Sequence, residues 1–359
     1  MKKRKTIMLL VTYRCNLRCV YCYEPKNVHH QMTALQAKRY ICEQVEKLDE
    51  SYEEFEVQFM GGEPLMVFPL IREVSEWLWQ QDFKKPLAQI FIPTNGTLLT
   101  ENIKSWCVQH KDEVCLGLSF DGNRLMQNKN RSNSASQVDL SFFATTWPHQ
   151  SVKMTLSPET LDYLYDGARF LHDEGFKEIA VDLAMGKDVK WKQEHLKILS
   201  IQLRRLSDFY IEHRDLKPIS MLGLDVLQPL RQNQRLKKCS CGENLVCIDY
   251  DGQEYACHVF SPITASKPQA KESQKIDYSQ HERFISEQCK ECLLSSVCTI
   301  CYGMNLICNG DISQQSSFTC QSFKIQYLIA CELQMRLAES KDDAITQQQI
   351  AYIVKQIKN

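Results

Sequence analysis

Apolar positions along the first two thirds of the chain fall into short continuous or alternating runs separated by stretches of helical spacing. Residues 7–11 form an unbroken apolar run, the pattern of a buried strand. Residues 32–48 then carry Leu35, Ile41, Val45 and Leu48 at helical spacing behind Thr33, a residue suited to capping a helix. Residues 55–60 alternate as a strand, and 67–79 read as the next helix. Further strands are predicted over 89–93, 114–120, 152–156 and 178–183, and further helices over 100–110 and 161–174. Such alternation implies parallel βαβ units. About six fit before Leu224, too few for the eight of a closed barrel. Residues 187–236 are charged and read as helical, with Trp191, Leu196, Leu199, Leu203 and Leu206 in a stripe most simply explained as core packing. Residues 322–359 read as a helical tail, and no Pro/Gly-rich linker, repeat or low-complexity segment interrupts the chain.

Composition narrows the class. The chain has 359 residues, a net charge of −1 and 43% hydrophobic residues, the profile of a soluble globular protein and not of a nucleic-acid binder. The run Lys2-Lys3-Arg4-Lys5 reads as a solvated leader to the first strand. No apolar run approaches the roughly 20 residues that span a bilayer. The short apolar N-terminal stretch runs directly into cysteines, unlike a signal peptide. Neither nucleic acid nor membrane is expected as a partner, and the expected location is the cytoplasm. Seventeen cysteines in a large chain without an export signal point to metal binding in a reducing compartment, not to disulfides.

The densest chemistry follows the first strand, as Cys15-x3-Cys19-x2-Cys22. A loop leaving a strand can wrap three thiolates around one iron–sulfur cube. Structural zinc and iron–sulfur sites usually take four ligands, so three suggest an iron kept open for a substrate or cofactor. Half of a zinc site, or inert buried thiols, are the alternatives. After the strand at 55–60 comes Gly61-Gly62-Glu63-Pro64, where two glycines allow close backbone approach and Glu63 supplies an acceptor. Alone, this is a turn. The strand ending at Ser119 leads into Asp121-Gly122, with Arg131 ten residues after Asp121. By itself Arg131 reads as a solvent-exposed arginine in a polar loop. Eleven cysteines lie from Cys239 onward: Cys239, Cys241, Cys247, Cys257, Cys289, Cys292, Cys298, Cys301, Cys308, Cys320 and Cys331. Their Cys-x2-Cys pairs by themselves would suggest zinc ribbons.

The triple-cysteine motif, with Tyr21 just before its last cysteine, resembles the signature of the radical S-adenosylmethionine (radical SAM) enzymes. That resemblance implies a 4Fe–4S cluster on Cys15, Cys19 and Cys22 whose unique iron binds the amino and carboxylate groups of SAM. It implies reductive cleavage of SAM to a 5′-deoxyadenosyl radical and an α/β fold, an open partial (β/α)6 barrel with its motifs at the carboxyl ends of the strands. Gly61, Gly62 and Glu63 match the segment that holds the SAM amino group, and Tyr21 is counted with the cofactor-binding residues. Ser119 and Arg131 match the SAM contacts of a Ser-x-Asp-Gly strand end followed by His-Asp-x-x-Arg, although Gln127-Asn128 stand where His-Asp is usual.

The later cysteines resemble the SPASM extension of peptide-modifying radical SAM enzymes. Cys241, Gly252 and Cys257 fit its first part and Cys289, Cys292 and Cys298 its second. Cys301 comes one residue early, which leaves Cys308 as a rival. By this resemblance one auxiliary 4Fe–4S cluster sits on Cys241, Cys247, Cys257 and Cys301, and another on Cys289, Cys292, Cys298 and Cys320, three clusters in all. Cys42, Cys107, Cys115 and Cys331 read as packing thiols. The implied division is a barrel over 1–223, a SPASM domain over 224–321 and a tail over 322–359. The implied function is maturation of a ribosomally made peptide or protein, installing a thioether or carbon–carbon crosslink. Formylglycine formation, as in anaerobic sulfatase maturases, is the alternative. In that subfamily an Asp base follows the cysteine where His258 follows Cys257 here. A methyl- or methylthio-transferring enzyme and a non-catalytic metal scaffold are weaker readings. Expected partners are the precursor peptide or protein and an external electron donor such as flavodoxin or ferredoxin. With fourteen residues before Cys15 and a short tail, leader recognition is expected on the barrel surface or a separate leader-binding protein.

Overall fold

The computed structural model describes residues 2–24, 29–231, 237 and 239–358. Eight strands are present among them: β1 Arg4–Thr12, β2 Glu54–Gly61, β3 Leu87–Thr94, β4 Val114–Leu118, β5 Val152–Leu156, β6 Ile179–Leu183, β7 Leu245–Ile248 and β8 Glu254–Tyr255. The chain forms two compact units. One comprises Met1–Ser119, Arg131–Gln150 and Ser240–Ser279, the other Phe120–Asn130, Ser151–Cys239 and Gln280–Asn359.

The first unit is built on a six-stranded sheet of order β4-β3-β2-β1-β7-β8, parallel except for β8. A strand buried on both faces needs an unbroken apolar run. The central β1 has one, Ile7 to Val11 being at most 5% exposed. The helix Ala34–Glu46 starts from a capping box, Thr33 and Gln36 each satisfying the other's backbone N–H. It returns the chain to β2 in the βαβ manner expected. The sequence pattern did not reveal β7. Its four residues, in a cysteine-rich segment, pair parallel with β1 and set Cys247 opposite Met8.

The second unit pairs β5 with β6 in parallel and adds long helices. On the helix Gln193–Glu212, Leu199, Leu203 and Leu206 are fully buried and Leu196 nearly so, so these four are core, while Trp191 lies before the helix and is half-buried. This helix packs on Ser317–Glu339, and Arg336 pairs with Asp208 at 2.6 Å across the contact. Two helical expectations are corrected. The helical reading of 187–236 holds for Gln193–Glu212 and Gln228–Arg231 only, and residues 232–236 lie outside the described ones. Pro218 between them lacks an N–H and steers the residue before it out of the helical region. The tail helix begins earlier than residue 322, at Ser317, because the Ser316 hydroxyl accepts from Thr319 N–H. It is broken at Asp342 (φ +54) before Ala344–Lys358. Among the described residues no helix is long and apolar enough to cross a membrane.

Candidate functional site

The carboxyl ends of β1, β2 and β3 meet at the cysteine loop. Gly62 N–H donates to Thr12 O at 3.0 Å and Glu63 N–H to Arg14 O at 2.8 Å, so the segment after β2 is laced onto the start of the loop. Only glycine permits this approach. A Cβ on Gly61 would lie 2.0 Å from Thr12 O, and one on Gly62 2.4 Å from Arg14 O. Gly61 also has φ +145, a conformation that side chains disfavour. Within the loop, Cys22 N–H donates to Cys19 O at 3.1 Å, and Cys15, Cys19 and Cys22 are all half-buried.

Glu63 is 1% exposed and accepts from Leu65 N–H at 3.1 Å, Thr94 Oγ1 at 2.8 Å and Asn95 N–H at 2.7 Å. Burial raises its pKa despite these donors and the nearby Arg131 charge. Asn95 Nδ2 reaches Asn16 Oδ1 at 2.9 Å, and Asn16 Nδ2 reaches Thr97 Oγ1 at 2.8 Å, so the turn after β3 also grips the cysteine loop. The strand predicted over 89–93 leaves residues 94–97 without a role. Their place at the carboxyl end of a parallel strand was the available signal. Ser119, half-buried, donates its N–H to Thr94 O at 2.9 Å.

Arg131 is 8% exposed, and its guanidinium lies 5.5 Å from the centroid of the Tyr21 ring. It is therefore not a solvent-exposed loop arginine. In the second unit, Gln127 is fully buried and accepts from Asp121 N–H at 2.8 Å. Asp121 in turn accepts from Thr155 N–H at 2.9 Å and Asn130 Nδ2 at 3.1 Å. This local network gives Gln127 a structural part.

The later cysteines are divided between the two units. In the first, Cys241 and Cys247 are buried. Burial raises the Cys247 thiol, with Cys257 and Asp249 adding to it, and the Tyr278 phenol is raised by burial and then by Cys241 and Cys257. Three thiols thus share one surrounding. Gly252, in the turn between β7 and β8 at φ +87, sits where a Cβ would meet Tyr40 Oη at 2.8 Å. Asp249 accepts from Tyr13 Oη at 2.6 Å, tying β7 to the cysteine loop. His258 Nε2 is 3.1 Å from Tyr23 Oη, and burial lowers its pKa to about 4, leaving the ring neutral near pH 7.

In the second unit, the Cys298 thiol is pushed up to about 12, first by burial and then by Cys320, Cys292 and Cys289. Those four are the expected second auxiliary set. Cys301 is raised by burial, with Cys239 and Cys308 also contributing. Cys301, Cys308 and Gln315 line a cavity of about 430 Å³ together with Ala184 and Met185, just past the carboxyl end of β6. Among the described residues that line it, Asp182 alone is charged, and it is paired with Lys153. Cys107, Cys115 and Cys331 are buried, Cys115 donating to Gln150 Oε1 at 3.3 Å, while Cys42 is half-buried. Among the described residues no three Cys, His, Asp or Glu side chains converge as ligands of one metal ion. An iron–sulfur cluster asks something different, one thiolate for each of several irons. The half-buried thiols of the loop and the two later thiol groups have the donor chemistry for it.

Residues 9–137 match the family model described as the Radical SAM superfamily. An uncharacterized protein of Methanocaldococcus jannaschii is 28% identical over 201 residues, 54% of this chain and 66% of that protein. The radical SAM cyclopropyl synthase TigE of Paramaledivibacter caminithermalis is 22% identical over 349 residues, 89% of this chain and 72% of that protein. A solved structure described as native anSMEcpe with bound AdoMet and Cp18Cys peptide shares the fold, with a TM-score of 0.72 and 18% identity over 94% of this chain and 99% of that one.

Proposed function

The chain is an enzyme with a radical SAM domain at residues 9–137, and on that premise we propose that it matures a ribosomally made peptide or protein by joining two of its residues through a thioether or carbon–carbon bond. The observation that carries this reading is the lacing of Gly62 and Glu63 onto the three-cysteine loop, with the Arg131 guanidinium 5.5 Å from the Tyr21 ring centroid. When bound, SAM and a 4Fe–4S cluster on Cys15, Cys19 and Cys22 would supply radical hydrogen abstraction, and clusters on the later cysteines would supply an electron acceptor.

The protein's own part is placement. Cys15, Cys19 and Cys22 hold the first cluster. The backbone at Gly61 and Gly62, with Glu63, cradles the SAM amino group, while Ser119 and Arg131 hold its carboxylate. Glu63 is anchored by Thr94, Asn95 and Leu65, so it presents a fixed acceptor. Cys241, Cys247, Cys257 and Cys301 are assigned to one auxiliary cluster, and Cys289, Cys292, Cys298 and Cys320 to the other. The 430 Å³ cavity, with little charge in its lining, supports a neutral peptide segment as substrate. A flavodoxin or ferredoxin supplies electrons, the precursor is recognised on the barrel surface or through a separate leader-binding protein, and the reaction takes place in the cytoplasm.

The likeness to anSMEcpe favours formylglycine formation as a second reading, whereas His258, neutral beside Tyr23, departs from the Asp base that reading expects. Changing Cys15, Cys19 and Cys22 together to Ala tests the central claim. The reconstituted protein should hold roughly twelve irons if three cubes assemble, and the triple variant should lose one cube and all release of 5′-deoxyadenosine on reduction. Persistent release would overturn the assignment. Mass and carbonyl analysis of the modified peptide separates a crosslink from an aldehyde.

A further inference from the structure

Gln315 stands just before Ser316, the N-cap of the helix Ser317–Glu339 that carries Cys320. Its Oε1 is 3.8 Å from Cys298 Sγ and accepts from that thiol. Its Nε2 is buried and, among the described residues, has no hydrogen-bond partner. Buried amide donors rarely stay unpaired. Cys298 is also the thiol whose electrostatic surroundings include Cys320, Cys292 and Cys289.

We propose that Gln315 sets the reduction potential of the auxiliary cluster on Cys289, Cys292, Cys298 and Cys320 by donating its side-chain N–H to the Cys298 sulfur. This rests on the reading of those four cysteines as ligands. A thiol offers a proton to Oε1, but an iron-bound cysteine is a thiolate and can only accept. Two acceptors would then face each other. A half-turn of the terminal amide, whose torsion is broad and two-fold, exchanges Oε1 for Nε2 with little change of shape. The turn gives the unpartnered donor an acceptor. Gln315 also lines the 430 Å³ cavity. Reduction adds one electron and no proton to the cluster, so an N–H dipole on its sulfur favours the reduced state and raises the potential.

The test is a redox titration of the reconstituted full chain followed by electron paramagnetic resonance. Gln315→Leu removes the donor, and Gln315→Met does so while keeping an unbranched side chain. Both should retain the wild-type iron content and lower the midpoint of one auxiliary cluster, leaving the other two clusters unmoved. Protein carrying ¹⁵N-labelled glutamine should show a weak nitrogen coupling to that reduced cluster, absent in both variants. Unchanged midpoints at full iron content would overturn the proposal while leaving the ligand assignment intact. Loss of iron in both variants would make Gln315 a structural residue and overturn the tuning role. Cys292→Ala in the same titration checks the premise. If it loses neither iron nor signal, the ligand assignment fails and the proposal fails with it.

Discussion

Arg131 shows how much one side chain's surroundings decide. A guanidinium that is 8% exposed must be matched by acceptors or by a π face, and here it lies over Tyr21 and within electrostatic reach of Glu63. In the proposed site its fork binds the SAM carboxylate. A hydrogen bond to a charged group contributes roughly 1.5–3 kcal/mol. Arg131→Ala should therefore weaken SAM binding on the order of ten- to a hundredfold, read by equilibrium dialysis on the reconstituted protein. Arg131→Lys should recover only part of this, because an ammonium cannot bind a carboxylate in two-pronged fashion. Unchanged affinity in the Ala variant would leave Arg131 as a packing partner of Tyr21.

At the scale of elements, the decisive feature is the way β2 ends. The backbone beyond it passes so close to Thr12 and Arg14 that any side chain at Gly61 or Gly62 meets carbonyl oxygen. A carbonyl in the β1 ladder cannot retreat without loosening the cysteine loop. Gly61→Ala should force such a shift at a cost of about 1–3 kcal/mol, the range for strained backbone positions. The expected result is a folded protein with a lower melting temperature and weakened SAM cleavage. Gly310→Ala is the control, since a Cβ there meets nothing within 4 Å although its φ is also positive. If both variants behaved alike, backbone conformation and not the close approach would explain the effect.

For the whole molecule, the question is what the second cysteine field contributes. Cys292→Ala or Cys320→Ala should still cleave SAM and exchange hydrogen with the peptide, yet accumulate uncrosslinked product. Metal binding can itself be folding energy, so circular dichroism and a melting curve must first show the variant folded. A folded variant lacking one cluster that still made normal crosslinked peptide would sink the electron-acceptor role and leave these cysteines as scaffold.

The sequence by itself determined the parallel α/β architecture, because strand and helix periods alternate where apolar side chains must be buried, as at Ile7 to Val11 and Leu199 to Leu206. It also determined the cysteine loop and the glycines after β2, whose spacing is local. Local signals fail where pairing is distant. β7 is four residues long and becomes a strand through its ladder with β1, some 240 residues earlier, a long-range contact without a periodic signature. The grip of Asn16, Thr94 and Asn95 on Glu63 and the loop likewise depends on three strand ends meeting. Short polar side chains at strand ends look alike in sequence, and only tertiary structure decides which of them find each other. The same holds for Gln315, a polar residue before a helix cap until the fold sets it against Cys298.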